Sequence, residues 1–157
     1  MSLLVNNFEE RLKQLALPAV EIKVAIAFLT AGGLSWLPEE LPQDVDFIVG
    51  IDLGITTPDA LKLLQSKGAG VHVFQEKGKL FHPKAIYIRS GDDETLIVGS
   101  NNLTGSGISS NHEMSIEITR DDNNESIFVT TQVLDWVQLA KYRAVLDCLM
   151  ESLINRV

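Results

Sequence analysis

The chain of 157 residues has one cysteine, and no apolar run approaches the roughly 20 residues that span a bilayer. Cys148 has no second thiol for an internal disulfide, and no cysteine or histidine stands at zinc-ligand spacing from it. The first residues lack the basic segment and apolar core of a secretory signal. These absences exclude an internal disulfide and a zinc site built on Cys148, and we expect a cytoplasmic protein without a membrane span.

Positive charge is also scarce, with 13 Lys and Arg against 21 Asp and Glu and a formal net charge of -8. Non-specific affinity for nucleic acid comes mainly from Lys and Arg that neutralise phosphates. Composition alone therefore does not indicate a nucleic-acid-binding protein. If the chain is one domain of a longer protein, further contacts with nucleic acid would lie elsewhere in that protein.

The hydrophobic fraction of 45% and the charged fraction of 22% are ordinary for a folded protein. A chain of this length fits a single domain over residues 1–157. Helical spacing predicts helices at residues 7–17 and 60–65, and apolar β-branched runs predict strands at 21–29, 46–52 and 70–75. Residues 30–33 read as a loop or short helix. This alternation predicts an α/β domain with an at least partly parallel sheet.

After Gly78 the pattern changes to strands without long helices between them, at residues 80–89, 94–99 and 113–119. The short Ser90–Asp93 turn predicts antiparallel pairing of the first two. Residues 128–154 favour a long helix that is apolar on more than one face, which indicates burial by the chain's own core or by a partner chain. The expected fold is a mixed β-sheet flanked by helices, with a long C-terminal helix.

Two residues able to do chemistry stand together in the fourth predicted strand. His82 and Lys84 are two residues apart, so both side chains should project from the same face of the strand. Pro83 gives up a ladder hydrogen bond, which predicts a strand start, edge or bulge here. An imidazole therefore lies beside an ammonium at this point.

A small polar turn follows the next strand. Gly99, Ser100, Asn101 and Asn102 end a buried strand, and such turns can offer backbone N–H groups to an anion. Glu113 starts the last predicted strand and could reach a histidine ring.

These residues resemble the phospholipase D superfamily, whose motif is His-x-Lys, a Gly-Ser-x-Asn turn and a downstream acid. The fuller motif has an Asp five residues after the Lys, where this chain has Arg89. That departure points to the branch resembling metal-independent restriction endonucleases. The resemblance implies a phospholipase D-like fold, with no cofactor and no metal. It implies that the catalytic residues are His82, Lys84, Asn102 and Glu113, and that Lys84, Ser100 and Asn102 bind phosphate.

The resemblance also implies a mechanism with two imidazoles. One attacks phosphorus to give a phosphohistidine, while the other gives its proton to the departing oxygen. Glu113 would fix the tautomer of one ring. Only His82 belongs to a His-x-Lys motif, and we interpret His72 and His112 as structural. The second imidazole is expected from His82 of a second copy, in a homodimer with the site on its twofold axis.

Three functions stay open on the sequence. The first is a metal-independent DNA endonuclease of a restriction or defence system. The second is a non-catalytic module that keeps the phosphate pocket to bind nucleic acid or to dimerise. The third is a lipid phosphodiesterase, which the missing Asp and the absence of an evident membrane-facing amphipathic segment disfavour.

Overall fold

The computed structural model describes residues 1–5, 7–75 and 78–120, so the helix predicted at residues 128–154 lies outside the described residues. Within them, one sheet has seven strands, β1 (Ser2–Leu4), β2 (Glu21–Ile26), β3 (Asp44–Gly50), β4 (Gly70–Phe74), β5 (Lys84–Ser90), β6 (Asp93–Gly99) and β7 (Ser115–Thr119). The helices are α1 (Phe8–Ala16), α2 (Pro58–Ser66) and α3 (Gly105–Ser109), with short 3₁₀ turns at Ala31–Leu34 and Asp52–Gly54.

The strands are ordered β1-β7-β6-β5-β2-β3-β4. Strands β2, β3 and β4 run parallel, whereas the pairs β2–β5, β5–β6, β6–β7 and β7–β1 are antiparallel. The tight link between β5 and β6 uses Gly91, whose φ of 63° suits a residue without a Cβ. The predicted α/β class and mixed sheet are confirmed.

The helices cover one face of the sheet because each presents an apolar stripe. In α1, Phe8, Leu12 and Ala16 recur at helical spacing and are buried. In α2, Pro58 occupies the first turn, where its missing N–H has no intrahelical partner to lose. Both stripes pack in one core with alternate residues of the strands, including Ile22, Val24 and Ile26 of β2. The opposite face carries a smaller cluster of Ala25, Ile48 and Phe81.

Two strands were predicted to begin too early, and both errors lie at the chemistry-bearing residues. The strand predicted from residue 80 begins only at Lys84, because Pro83 cannot donate to the ladder and Phe81 turns into the cluster on the open face. The strand predicted from Glu113 begins at Ser115, because Glu113 contacts Ser100 and Asn111 in the preceding turn. Strand β1 was not predicted, since three residues carry no periodicity.

The mixed topology gathers these turns at one end of the sheet. Strands β2, β3, β4 and β6 end there, whereas β5 and β7 begin there, as shown by the partners Ile26–Lys84 and Gly99–Ser115. We call this end the site edge. Polar residues lie next to β3, β5, β6 and β7 at the site edge, so the sheet brings together residues that are far apart in sequence.

Candidate active site

His82 lies just before β5 and is held by aromatic neighbours. Phe81 is buried, with 4% exposure, and stacks on Phe74 at 4.6 Å between ring centroids. The His82 ring stands edge-on to Phe28, with centroids 5.7 Å apart and the planes at 73°. His82 itself is exposed to solvent at the site edge. Its ring is therefore oriented by packing while remaining accessible to a substrate.

Lys84 contacts His82 directly, as the two-residue spacing predicts. Its Nζ lies 3.0 Å from Nδ1 and 3.2 Å from Nε2 of the ring, and it donates to the His82 carbonyl oxygen at 3.2 Å. Burial lowers the pKa of Lys84 below its ordinary value, and the negative charge of Glu113 opposes that shift. An ammonium beside an imidazole is suited to hold an anion. The Glu113 carboxylate favours the charged form of Lys84.

The Gly-Ser-x-Asn turn joins Glu113 to the site edge. The Ser100 hydroxyl donates to Glu113 Oε2 and accepts the Met114 N–H at 3.1 Å, while the Ser100 N–H donates to the Met114 carbonyl at 3.0 Å. Asn111 Nδ2 donates to Glu113 Oε1 at 3.1 Å. Among the described residues, Glu113 makes no hydrogen bond to His82, so its carboxylate is fixed by the turn and not by the ring of the same chain.

The two asparagines of the turn differ in their surroundings. Asn101 is buried, donates from Nδ2 to the Gly107 carbonyl at 2.9 Å and accepts the Ser115 hydroxyl at 2.6 Å. These contacts fasten the turn to α3 and β7, so Asn101 is structural. Asn102 is half-buried, and its Oδ1 has no hydrogen-bond partner among the described residues. This is the asparagine that the motif spacing selects.

Arg89, which replaces the family's Asp, lies at the other end of β5 from Lys84. Its Nε donates to Glu21 Oε2 at 2.7 Å across the β2–β5 pair. Arg89, where the chain departs from the family pattern, thus forms an ion pair at the end of the sheet opposite His82.

The remaining histidines lie apart from the His82–Lys84 pair. His72 on β4 contacts Asp46, with Nε2 and Oδ1 3.3 Å apart. That hydrogen bond, reinforced by Lys23, lowers the pKa of Asp46 well below its ordinary range against the opposing effect of burial. His112 is exposed beside Glu113. The structure thus gives His72 the contact of a structural residue.

One residue that the sequence analysis missed also reaches this region. Asp52, in the turn after β3, accepts the Phe81 N–H on Oδ2 at 3.2 Å. Asp52 and Phe81 are 29 positions apart, and an Asp after a strand is also typical of ordinary turns. No local motif signals this contact.

Two kinds of feature are absent from the described part of the chain. No three His, Cys, Asp or Glu side chains there converge as a ligand set for a metal ion. None of the helices there has the length and apolar character needed to cross a bilayer.

Solved structures of low sequence identity share this fold. NucT from Helicobacter pylori is 18% identical, with a TM-score of 0.57 over 84% of this chain and 91% of that one. Nuc from Salmonella typhimurium, a phospholipase D family member, is 15% identical, with a TM-score of 0.57 over 87% and 95%. A mutant of yeast tyrosyl-DNA phosphodiesterase 1 is 11% identical, with a TM-score of 0.61 over 98% of this chain and 40% of that one.

The fold and the matched family pattern together define a protein of the phospholipase D class. The chain belongs to the family described as cardiolipin synthase, PLD-like domain, whose pattern matches residues 9–133. The predicted superfamily is confirmed. None of the curated protein sequences compared with the chain matches it.

Proposed function

We propose that this protein is a metal-independent DNA endonuclease of restriction or defence type, acting in the cytoplasm through a phosphohistidine at a site shared by two copies of the chain. The observation that carries the proposal is the contact of Lys84 Nζ with the His82 ring at 3.0 Å, at the same edge of the sheet as the Ser100–Glu113 pair. This grouping supports a site in which one phosphodiester meets a nucleophile, a cation and a carboxylate.

The proposed reaction has two steps. In the first, a neutral His82 ring forms a nitrogen–phosphorus bond, the phosphorus–oxygen bond to the leaving group breaks, and a protonated second imidazole gives its proton to that oxygen. In the second, water attacks phosphorus, loses its proton to the second imidazole, and the nitrogen–phosphorus bond breaks. Lys84 and Asn102 stabilise the charge on the non-bridging oxygens in both steps.

The need for two imidazoles supports a homodimer, because the sequence has one His-x-Lys motif. Within the described residues, the Glu113 carboxylate is bound by Ser100 and Asn111 and makes no bond to His82 of its own chain. We propose that it orients a ring of the second copy. The chemistry needs two imidazole rings, and the Glu113 carboxylate has no ring partner among the described residues of its own chain. Both points fit a site that a second chain completes.

An exposed apolar row beside the site supports the same assembly. Leu3, Ile116 and Val98 are cross-strand partners on β1, β7 and β6, and each is 41–59% exposed. Val98 in turn pairs with Ala85, the neighbour of Lys84. Contiguous exposed apolar patches, when large, mark surfaces that contact other proteins. This row would give a second copy an apolar surface that begins beside Ala85, three residues after His82.

DNA is the proposed substrate because a protein that shares the fold, tyrosyl-DNA phosphodiesterase 1, is named for a phosphodiester of DNA. With a net charge of -8, phosphate binding must depend on local cations such as Lys84. The family description, cardiolipin synthase, favours a second candidate, a phospholipid phosphodiester. Both substrates offer the same reacting group.

Hydrolysis of bis(p-nitrophenyl) phosphate in EDTA tests the proposal. We expect turnover to persist, because Lys84 and Asn102 supply the charge stabilisation that a metal would otherwise give. The control is the same assay after addition of magnesium or manganese. Activity that appears only with either ion would contradict the mechanism, and absence of hydrolysis under all conditions would leave a non-catalytic binding module. A comparison of the cleavage of DNA with the cleavage of phospholipid in vesicles then distinguishes the two candidate substrates.

A further inference from the structure

The placement of His82 does not come from the β-ladder. Strand β5 begins at Lys84, so residues 81–83, here called the His82 segment, have no regular strand pairing. Lys84 is fixed opposite Ile26 by the ladder, whereas His82 depends on the contacts made by its own neighbours. Those neighbours therefore decide where the attacking ring stands.

The His82 segment is fastened on both sides of the histidine. On one side, the Pro83 carbonyl accepts the Ala27 N–H at 2.9 Å. On the other, the Phe81 N–H donates to Asp52 Oδ2 at 3.2 Å. The segment also lies close over Gly50, where an added Cβ would stand 3.1 Å from the Phe81 carbonyl oxygen. A backbone this closely packed has little room to shift while its polar anchors hold.

The turn that carries Asp52 is strained. Leu53, the next residue, has φ of 64°, in the left-handed region that a bulky side chain rarely adopts, and it is 74% exposed. An exposed leucine is not held in that conformation by packing of its own side chain. Backbone strain of this kind persists where neighbouring contacts over-determine it and is concentrated at functional sites. The hydrogen bond from Phe81 to Asp52 is one such contact.

We propose that Asp52 is a positioning residue, whose carboxylate anchors the Phe81 N–H and so holds the His82 ring in line with the phosphate. This inference rests on the proposed function for the reaction that it serves. A charged acceptor is suited to the role, because hydrogen bonds to carboxylates are shorter and stronger than those between neutral groups. Asp52 acts through the backbone and touches no reacting atom.

Removal of the anchor should affect turnover more than binding. In Asp52→Ala, His82 keeps its chemistry but loses part of its placement, and misplacement by about 1 Å can cost about 10²-fold in rate. We expect kcat for bis(p-nitrophenyl) phosphate to fall by about 10-fold to 10²-fold. The KM should change by less than about 3-fold, because Lys84 stays in the β5 ladder.

Asp52→Asn is the informative companion variant. Its side-chain oxygen still accepts the Phe81 N–H, so we expect it to recover most of the kcat that Asp52→Ala loses. Asp44→Ala is the matched control, since Asp44 lies at the end of β3 that is far from the Asp52 turn and contacts Lys23. It should leave kcat unchanged. If Asp52→Ala does not fold, Asp52→Ser takes its place, since its shorter side chain does not reach the amide.

Amide hydrogen exchange gives a second readout that does not depend on turnover. The Phe81 N–H should exchange faster in Asp52→Ala than in wild type, with Asp52→Asn close to wild type. Unchanged kcat in Asp52→Ala, or a loss in Asp52→Asn equal to that in Asp52→Ala, would overturn the proposal. If the wild-type protein hydrolyses nothing, the proposed function fails, and unchanged exchange at Phe81 would then show separately that Asp52 is not the anchor.

Discussion

His82→Ala is expected to abolish hydrolysis while leaving the fold intact. The ring is the proposed nucleophile, and loss of the nucleophile in a covalent mechanism costs about 10⁴-fold or more in kcat. The fold should survive because His82 lies outside the β-ladder and its ring makes one edge contact with Phe28 among the described aromatic residues. Steady-state kinetics together with circular dichroism would measure both properties.

The other two histidines are the controls for this experiment. His72→Ala removes the contact with Asp46 and should lower stability while the purified enzyme keeps its kcat. His112→Ala is the sharper control, since His112 directly precedes Glu113. Near-wild-type turnover of His82→Ala, or loss of turnover in His112→Ala instead, would show that the nucleophile is wrongly assigned.

Lys84→Met should reduce kcat by about 10²-fold to 10³-fold, the effect of removing one donor that stabilises a developing oxyanion. Methionine keeps much of the lysine's length and removes the ammonium that lies against the His82 ring. Lys62→Met, an exposed lysine on α2, should be without effect. If Lys84→Met is as active as Lys62→Met, Lys84 is not part of the active site.

The same lysine should shape the alkaline side of the pH–rate profile. Lys84 carries its charge only below its pKa, and burial lowers that pKa, so the charge is lost at lower pH than for an ordinary lysine. Lys84→Arg, which stays charged throughout, should retain part of the activity and move the alkaline limb to higher pH. If the alkaline limb does not move in Lys84→Arg, a group other than Lys84 determines that limb.

The sequence grouped the candidate site residues by their motif, but it predicted the limits of the strands around them poorly. His82, Lys84, Ser100, Asn102 and Glu113 were selected by motif spacing, which does not depend on exact strand limits. Their roles remain proposals, although the contacts of Lys84 with His82 and of Ser100 with Glu113 support the grouping. Both predicted strands that contained a site residue began too early, because apolar neighbours such as Phe81 and Met114 satisfy a strand pattern without joining the ladder.

Long-range contacts account for what the sequence could not predict. Asp52 meets Phe81 only after β3 and β5 have been placed in one sheet, and the short β1 strand exists only through its pairing with β7. The parallel arrangement of β2, β3 and β4 could be predicted from the sequence, because helical and strand periodicities alternate there. The ion pair between Arg89 and Glu21 could not be predicted from the sequence, because it depends on the register of β2 against β5.

We propose that two chains together complete the site, and mixing wild-type chains with His82→Ala chains tests this proposal. After subunit exchange, heterodimers hold one of the two required rings and should be inactive. Activity should therefore follow the square of the wild-type fraction, falling to about one quarter in an equal mixture. A linear fall, to about one half in the equal mixture, would show that each chain works alone and would contradict the shared site.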